Sequence, residues 1–547
     1  MSLVKTLEFV WGLTITLLCL VVPLGYGTQQ PARDTFTAAV YEHRVRNPPD
    51  PEAVVTRDEA IAWSYRNLRV YREQAKIAAR KGADIIVFPE NGILGYDKTR
   101  ASIRPYLELI PEPRGPSSNH TVVPCKDKKL SRNTSKLKNL SCLARDNSIY
   151  VVANMAEKLP CDSGYDLNCP YDGQYQFDTN VIFDTKGELV GKYHKKYLYW
   201  QPMFDTAPVP EIVVVPTPFG ILGTFVAGDI YYQSPALELI EKNGVDTIAM
   251  TTTWDNTFPY PRAVAVQEGF ALRMHVNLLA ANTQAIKYDI GGSGIYSSAG
   301  AVVYRYNTTH DHGQLLIGTL PTKPRAQTPQ PLPSWVEDNP EVKEKSFQAT
   351  ISGNTVECLP LTHLEGRVRL CQKDLCCSLS YSFKRKNENE LFVFGVFNGL
   401  HSELISMYTQ TCGVFKCSSK QPESCGIAPT TSSSIIGEFR MWGTFSKSTY
   451  VFPYVTTQGT SGICLAPGQF VFRDNVLHSV DGLTDPLLSA ILFGRNYYRD
   501  DFTASVNPPY STVPPTTKQN GAAVIITAST SAFIIVFALT FRTMMQK

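Results

Sequence analysis

Three apolar runs end in residues whose types could do chemistry. ADIIVFPE, residues 83–90, ends in Glu90 just past a proline, where an apolar surround would raise a carboxyl pKa and suit it to general-base work. ELVGKYHKKYL, residues 188–198, follows a TKG turn and brings Lys195 and Lys196. A buried ammonium there would stabilise an oxyanion as a carbonyl carbon becomes tetrahedral. GTFVAGDI, residues 223–230, ends in two small residues, Ala227 and Gly228, followed by Asp229. Taken singly, the first two have plainer readings: Glu90 as a loop cap and the paired lysines as solvated charge.

The elements that must position these residues alternate between strand and helix. TFTAAVYEH reads as a short apolar strand, and Arg57 to Gly82 places Ile61, Tyr65, Leu68, Ala75 and Ala78 near helical spacing before a glycine stop. NSIYVVANM, FGILGTFVAGDI, VDTIAMTTT and VNLLAANT read as further strands, the last three separated by the helical candidates SPALELIEKNG and PRAVAVQEGFALRMH. Such alternation predicts an α/β domain whose sites lie beyond the C-terminal ends of strands. Near Leu320 the composition changes: residues 321–335 are proline-rich and read as a linker or domain-crossing arm. ELFVFGVF, STYVFPYV and GQFVFRDNVLHSV then read as β-rich and are accompanied by eight cysteines, which predicts a smaller disulfide-braced domain over 336–505 and a stalk over 506–520.

The two ends of the chain speak to its compartment. Residues 1–27 carry Lys5, an apolar core and small residues at 25 and 27, as a secretory signal peptide does. Cys19 leaves with it, so 12 of 13 cysteines remain, an even number that predicts disulfides. Cys371, Cys376 and Cys377 are therefore read as disulfide partners, with no metal and no cofactor expected. Asn119, Asn133, Asn139 and Asn307 open glycosylation sequons, each predicting a surface loop if used. The basic run Lys126 to Asn139 reads as a solvated loop, and a net charge of +3 over 547 residues gives no reason to expect nucleic acid. Residues 521–547 form either a single-pass helix with Arg542 and Lys547 inside, or a signal cleaved near Asn520 and exchanged for a lipid anchor. Both place the protein on the extracellular face of a membrane.

VFPENGI, GKYHKKYL, TPFG with GTF, VNLLAANT and GGSGIYSSAG occur in that order, between a signal peptide and a cysteine-bearing second domain with a hydrophobic tail. Together they resemble the vanin and biotinidase family of secreted or membrane-anchored amidohydrolases, within the nitrilase superfamily. The resemblance implies a nitrilase-like αββα sandwich over 28–320. It implies Glu90 as general base, Lys195 as the oxyanion-stabilising lysine, Asp229 as a structural aspartate, and a nucleophilic cysteine where this chain has Ala227. That chemistry needs a thiolate to form a thioester, which a methyl group cannot do, and no cysteine occurs between Cys169 and Cys358. The expected protein is a catalytically deficient surface glycoprotein with a retained pocket that acts in binding or recognition, a small amide or pantetheine-like molecule being the candidate ligand. The alternatives are an active amidohydrolase on pantetheine or biotinyl amides with a non-standard nucleophile, and a structural glycoprotein whose pocket is filled. Glu90 and Lys195 are expected to face each other as an ion pair, over a pocket floor enlarged at Ala227 and Gly228.

Overall fold

The computed structural model describes residues 33–113, 121–128, 134–199, 201–256, 262–327, 330–335, 339–401, 407–460 and 462–501. The expected signal peptide, stalk and hydrophobic tail, and Asn119, Asn133 and Asn520, lie outside these residues. Among the described residues, no helix is long and apolar enough to cross a membrane.

The first domain holds two six-stranded sheets. One is built of β1 (Thr35–Glu42), β2 (Ile85–Val87), β3 (Tyr150–Pro160), β4 (Gln174–Phe183), β5 (Leu189–His194) and β12 (Gln314–Pro321), in the order β12-β1-β2-β3-β4-β5. The other is built of β6 (Val214–Thr217), β7 (Gly220–Val226), β8 (Thr247–Thr252), β9 (Asn277–Asn282), β10 (Ser293–Ser297) and β11 (Gly300–Arg305), in the order β11-β10-β9-β8-β7-β6. Alternation along the strands decides the layers. Ala38, Val40, Ile85, Val87 and Val152 meet Leu222, Ala249 and Leu279 between the sheets. On the first sheet's other face Ala39, Ile86 and Val151 meet Leu68, Ala75 and Leu140 of two helices, Arg57–Arg80 and Ser135–Asn147. On the second sheet's other face Phe225, Ile248 and Leu278 meet the Ala263–Met274 helix. The layers are helix, sheet, sheet, helix, as expected.

The long helix begins at Thr56, whose hydroxyl accepts from Glu59 N while Glu59 accepts from Thr56 N, a reciprocal cap. It stops before Gly82, whose φ of +79° is unstrained only without a side chain. The basic run is not the solvated loop expected. The Ser135–Asn147 helix takes in its last residues, and Lys136, only 2% exposed, pairs with Glu108 at 3.1 Å. Burial lowers the Lys136 ammonium to about 8. Asn139, expected on a surface loop, lies on the packed face of the same helix and is 8% exposed; Asn307 does lie in a loop, after β11.

The second domain is an antiparallel sandwich of a seven-stranded and a five-stranded sheet with an apolar core between them. The larger sheet runs β13 (Phe347–Ile351), β14 (Asn354–Pro360), β17 (Phe392–His401), β18 (Met407–Lys416), β24 (Leu487–Arg495), β20 (Tyr450–Gly459) and β21 (Gly462–Cys464). The smaller holds β15 (Glu365–Gln372), β16 (Leu375–Arg385), β19 (Ile435–Gly443), β23 (Val476–Ser479) and β22 (Phe470–Arg473). The proline-rich arm is pinned to the first domain, since Arg325 donates to Val245 O at 2.6 Å and pairs with Asp246. β20 covers the Ala263–Met274 helix so closely that a Cβ on Gly269 would lie 2.3 Å from Pro453 O.

Disulfides join Cys125 to Cys142, Cys161 to Cys169, Cys371 to Cys376, Cys377 to Cys412 and Cys417 to Cys425. The even count did not mean complete pairing: Cys358 and Cys464 are free. They sit on β14 and β21, five strand spacings apart in one sheet, roughly 24 Å. A disulfide bridges less than about 7 Å between Cα atoms.

Candidate active site

The sheets bring the three strand ends to one edge of the sandwich. Glu90 follows β2, Lys195 follows β5 and Ala227 follows β7; their exposures are 1%, 3% and 7%. Lys195 Nζ donates to Glu90 Oε1 at 2.7 Å, the ion pair expected from the sequence, and to Gln201 Oε1 at 2.7 Å. Gln201 Nε2 donates back to Glu90 Oε1 at 2.9 Å and to Asp178 Oδ2 at 3.2 Å. From the end of β8, Thr253 N donates to Glu90 Oε2 at 2.7 Å and Thr253 Oγ1 to the Glu90 carbonyl at 2.9 Å. Lys196 turns away and donates to the carbonyls of Ala207 and Pro208.

The charge on this cluster follows from its contacts. Burial pushes the Glu90 carboxyl up, but the Lys195 charge and hydrogen bonds from Asp178, Lys195 and Gln201 together leave it below the usual carboxylate range. The raised pKa expected from an apolar surround is therefore reversed by its partners. Burial and the adjacent Glu90 charge push the Asp178 carboxyl well up, and it hydrogen-bonds Glu90. Burial pulls Lys195 down, yet Glu90, Asp178 and Asp229 hold it above its ordinary value.

β7 stops at Val226, and the chain turns into a short 3-10 helix, Ala227–Tyr231. Ala227 takes a φ of +43° there, a left-handed conformation that strains any residue with a Cβ. Such strain is retained at functional turns. Asp229 fastens the turn: it accepts from Tyr193 Oη at 2.7 Å, Tyr197 N at 3.0 Å and Val226 N at 3.2 Å. Burial raises its carboxyl to about 6. Among the described residues, a Cβ placed on Gly228 would find only the Tyr197 carbonyl within 4 Å, at 3.9 Å, which leaves room there for one side-chain carbon.

Asp178, Gln201, Asn154 and Asn180 were not found by sequence reasoning as parts of this site. Asn154 accepts from Asn91 N at 3.0 Å and donates to Asp178 Oδ1 at 2.5 Å; Asn180 donates to Thr224 Oγ1 at 2.9 Å and accepts from Thr251 Oγ1 at 2.7 Å. The signal was the polar stretch DTN inside QYQFDTNVIF and the lone Asn154 inside VVANM, since buried polar side chains need partners. Gln201 left no such trace. Beside the site, His194 is held between Glu157 and Glu211, with 2.8 Å to each. Burial pulls the imidazole down, but the two carboxylates raise it to about 9.

The free thiols stand elsewhere. Cys358 is buried in the second domain and pushed up to about 12 by that burial; Cys464 lies on β21, beside Tyr304 at the domain junction.

Residues 56–330 match the carbon-nitrogen hydrolase family, and residues 345–500 match the vanin C-terminal domain. Pantetheine hydrolase VNN2 of Homo sapiens is 37% identical over 500 residues, covering 90% of this chain and 93% of its own. Pantetheinase of Sus scrofa is 39% identical over 474 residues, covering 85% and 90%, and biotinidase of Bos taurus 34% over 497 residues, covering 85% and 93%.

Proposed function

The chain belongs to the carbon-nitrogen hydrolase family, in its vanin and biotinidase branch, and from that footing we propose that it binds a small amide without hydrolysing it. The observation that carries this reading is Ala227. The strained turn at the end of β7 presents a methyl group where the family resemblance puts a cysteine, while the Glu90 and Lys195 pair beside it is intact.

The chemistry supports the same reading. Covalent amide hydrolysis needs a nucleophile that attacks the carbonyl carbon and a base that takes its proton. Ala227 offers no lone pair. Thr253 directs its hydroxyl to the Glu90 carbonyl, and Thr251 directs its own to Asn180. Glu90 takes hydrogen bonds from Lys195 and Gln201 on Oε1 and from Thr253 on Oε2, with Asp178 as a further partner, which leaves it little capacity to accept a substrate proton. Lys195 would serve as donor to the carbonyl oxygen of a pantetheine-like or biotinyl amide. Five disulfides support an oxidising compartment, as outside the cell.

The test is an assay of the protein and its Ala227→Cys variant on pantetheine and biotinyl amides, alongside calorimetric titration with pantetheine. An inert natural protein that still binds pantetheine, with turnover gained by the variant, is the expected result. Turnover by the natural protein, abolished by Glu90→Gln, would overturn the proposal in favour of an amidohydrolase with a different nucleophile. Absence of binding and of turnover in both proteins would mean a purely structural role.

A further inference from the structure

The bridged cysteines differ in what surrounds them. Cys377, Cys412, Cys417 and Cys425 are 0% exposed, and Cys125, Cys142, Cys161 and Cys169 are half-buried. Among the described residues, Cys371 is the one bridged cysteine that is exposed, and its partner Cys376 is half-buried. Strand alternation puts them there. Val368 of β15 and Leu375, Cys377 and Leu379 of β16 face the sandwich core, so Cys371 and Cys376, directly opposite in register, share the outer face beside the turn at Lys373 and Asp374.

The charges around this bridge suit exchange. A thiolate attacks one sulfur and expels the other as a thiolate, so neighbouring cations assist both the approach and the departure. Arg369, exposed two residues before Cys371 on the same face, and Lys373, exposed in the turn, supply them. The carboxylate of the turn, Asp374, accepts from Asn398 Nδ2 at 2.6 Å. The Cys161–Cys169 bridge lies instead in a loop that carries Asp162, Asp166 and Asp172 and no Lys or Arg, which repels an incoming thiolate.

The strands do not need this bond to stay together, because eight residue pairs, from Glu365 with Ser382 to Gln372 with Leu375, hold β15 to β16. What the bond stiffens is the tip. Gln372, next to Cys371, reaches the larger sheet: the Asn398 amide donates to Gln372 Oε1 at 2.6 Å, and Asn398 Nδ2 to the Gln372 carbonyl at 3.3 Å. Cys377, on the opposite face from Cys376, keeps its own bridge to Cys412 out of reach of a thiolate released at Cys376.

We propose that Cys371–Cys376 is a thiol-exchange site for a dithiol reductant, opened and closed with the fold intact, and that opening loosens the hold of the hairpin on Asn398. One thiolate of the dithiol attacks Cys371 Sγ, a mixed disulfide forms, the Cys371–Cys376 bond breaks and Cys376 leaves as a thiolate. The second thiolate of the reductant then attacks the reductant's own sulfur in the mixed disulfide and expels Cys371. The reductant ends as a cyclic disulfide, having given two electrons to the cysteines, and its two protons pass through solvent to the two new thiols. The site does not depend on how Glu90, Lys195 and Ala227 act.

The test treats the natural protein, its free thiols first blocked, with dithiothreitol at neutral pH, quenches with iodoacetamide and reads each cysteine by peptide mass spectrometry. Cys371 and Cys376 are expected to be alkylated together, roughly tenfold faster than any other bridged pair, with the far-UV circular dichroism unchanged. Hydrogen exchange at the Asn398 amide should then be about fivefold faster in the reduced protein, and in Cys371→Ser with Cys376→Ser. If the double variant fails to fold, the reduced natural protein decides. Earlier or equal opening of Cys161–Cys169 or of another bridge, loss of secondary structure with the first bond reduced, or unchanged exchange at Asn398 would overturn the proposal.

Discussion

Arg495, on the last strand of the second domain, donates through Nε to the carbonyl of Tyr231 at 3.1 Å, the final residue of the turn that begins with Ala227. The rest of the guanidinium binds Asp500 through two bonds, 2.9 and 2.7 Å, and the Tyr408 carbonyl at 2.7 Å; Arg495 and Asp500 are 0% and 1% exposed. The second domain thus fixes the carbonyl end of the segment on which the candidate site is built. Arg495→Met would leave the Asp500 carboxylate buried and unpaired, at a cost of about 3–5 kcal/mol. Arg495→Met with Asp500→Leu should be much less damaging. Urea unfolding of the two variants checks this, and equal losses would refute the pairing argument.

Lys195→Met should cost a similar ~3–5 kcal/mol, because Glu90 and Asp178 would then share a buried site with no cation. The pH response should change as well. In the natural protein Glu90 is held below the usual carboxylate range, so its contribution is present above the unfolded carboxylate pKa and lost as pH falls through the folded value. In the variant, proton uptake by the second carboxyl favours the folded state. Its deficit should therefore shrink as pH falls from 7 to 5, measured by denaturant midpoint.

His194 gives the opposite sign. Its folded pKa, about 9, lies above the unfolded 6.5, so its contribution is fully present below pH 6.5 and lost as pH rises through about 9. Converted at about 1.4 kcal/mol per pH unit, the difference amounts to ~3 kcal/mol as an upper bound. His194→Asn should flatten the stability profile between pH 6.5 and 9, and an unchanged profile would count against the imidazolium.

Ala227→Gly should raise stability by up to about 1 kcal/mol, since glycine relieves a left-handed φ that costs alanine about 1–2 kcal/mol while adding unfolded-state entropy. Gly269→Ala should lower it by about 1–3 kcal/mol, because the added methyl meets the Pro453 carbonyl. Thermal unfolding of both variants checks the two signs together.

What the sequence disclosed was local. The Arg57–Arg80 helix, the apolar strand before Glu90 and the end of β7 all left their signatures within ten or twenty residues, through periodicity, a glycine stop or an unbroken apolar run. Contacts across the chain left none. Gln201 meets Glu90 across 111 residues and Arg495 meets Tyr231 across 264, and nothing in either residue's neighbourhood encodes the partner. Lys136 shows the same limit from the other side: it reads as one charge in a basic run, and only the fold supplies the Glu108 that lets it be buried. Cysteine parity misled because it counts thiols without measuring the distance between them.

The pairing of β1 with β12 sets a timetable for synthesis. Thr35 to Glu42 aligns with Pro321 to Gln314, so one edge of β1 waits for a partner made some 280 residues later. At about 5–20 residues per second that is a delay of roughly 14–56 s on the ribosome. Throughout it the apolar FTAAV has an open hydrogen-bonding edge, the kind of surface to which another nascent chain can add a strand. Ribosomal truncations ending before residue 314 should therefore recruit chaperones through this strand, and those that include residue 321 and clear the exit tunnel should release them.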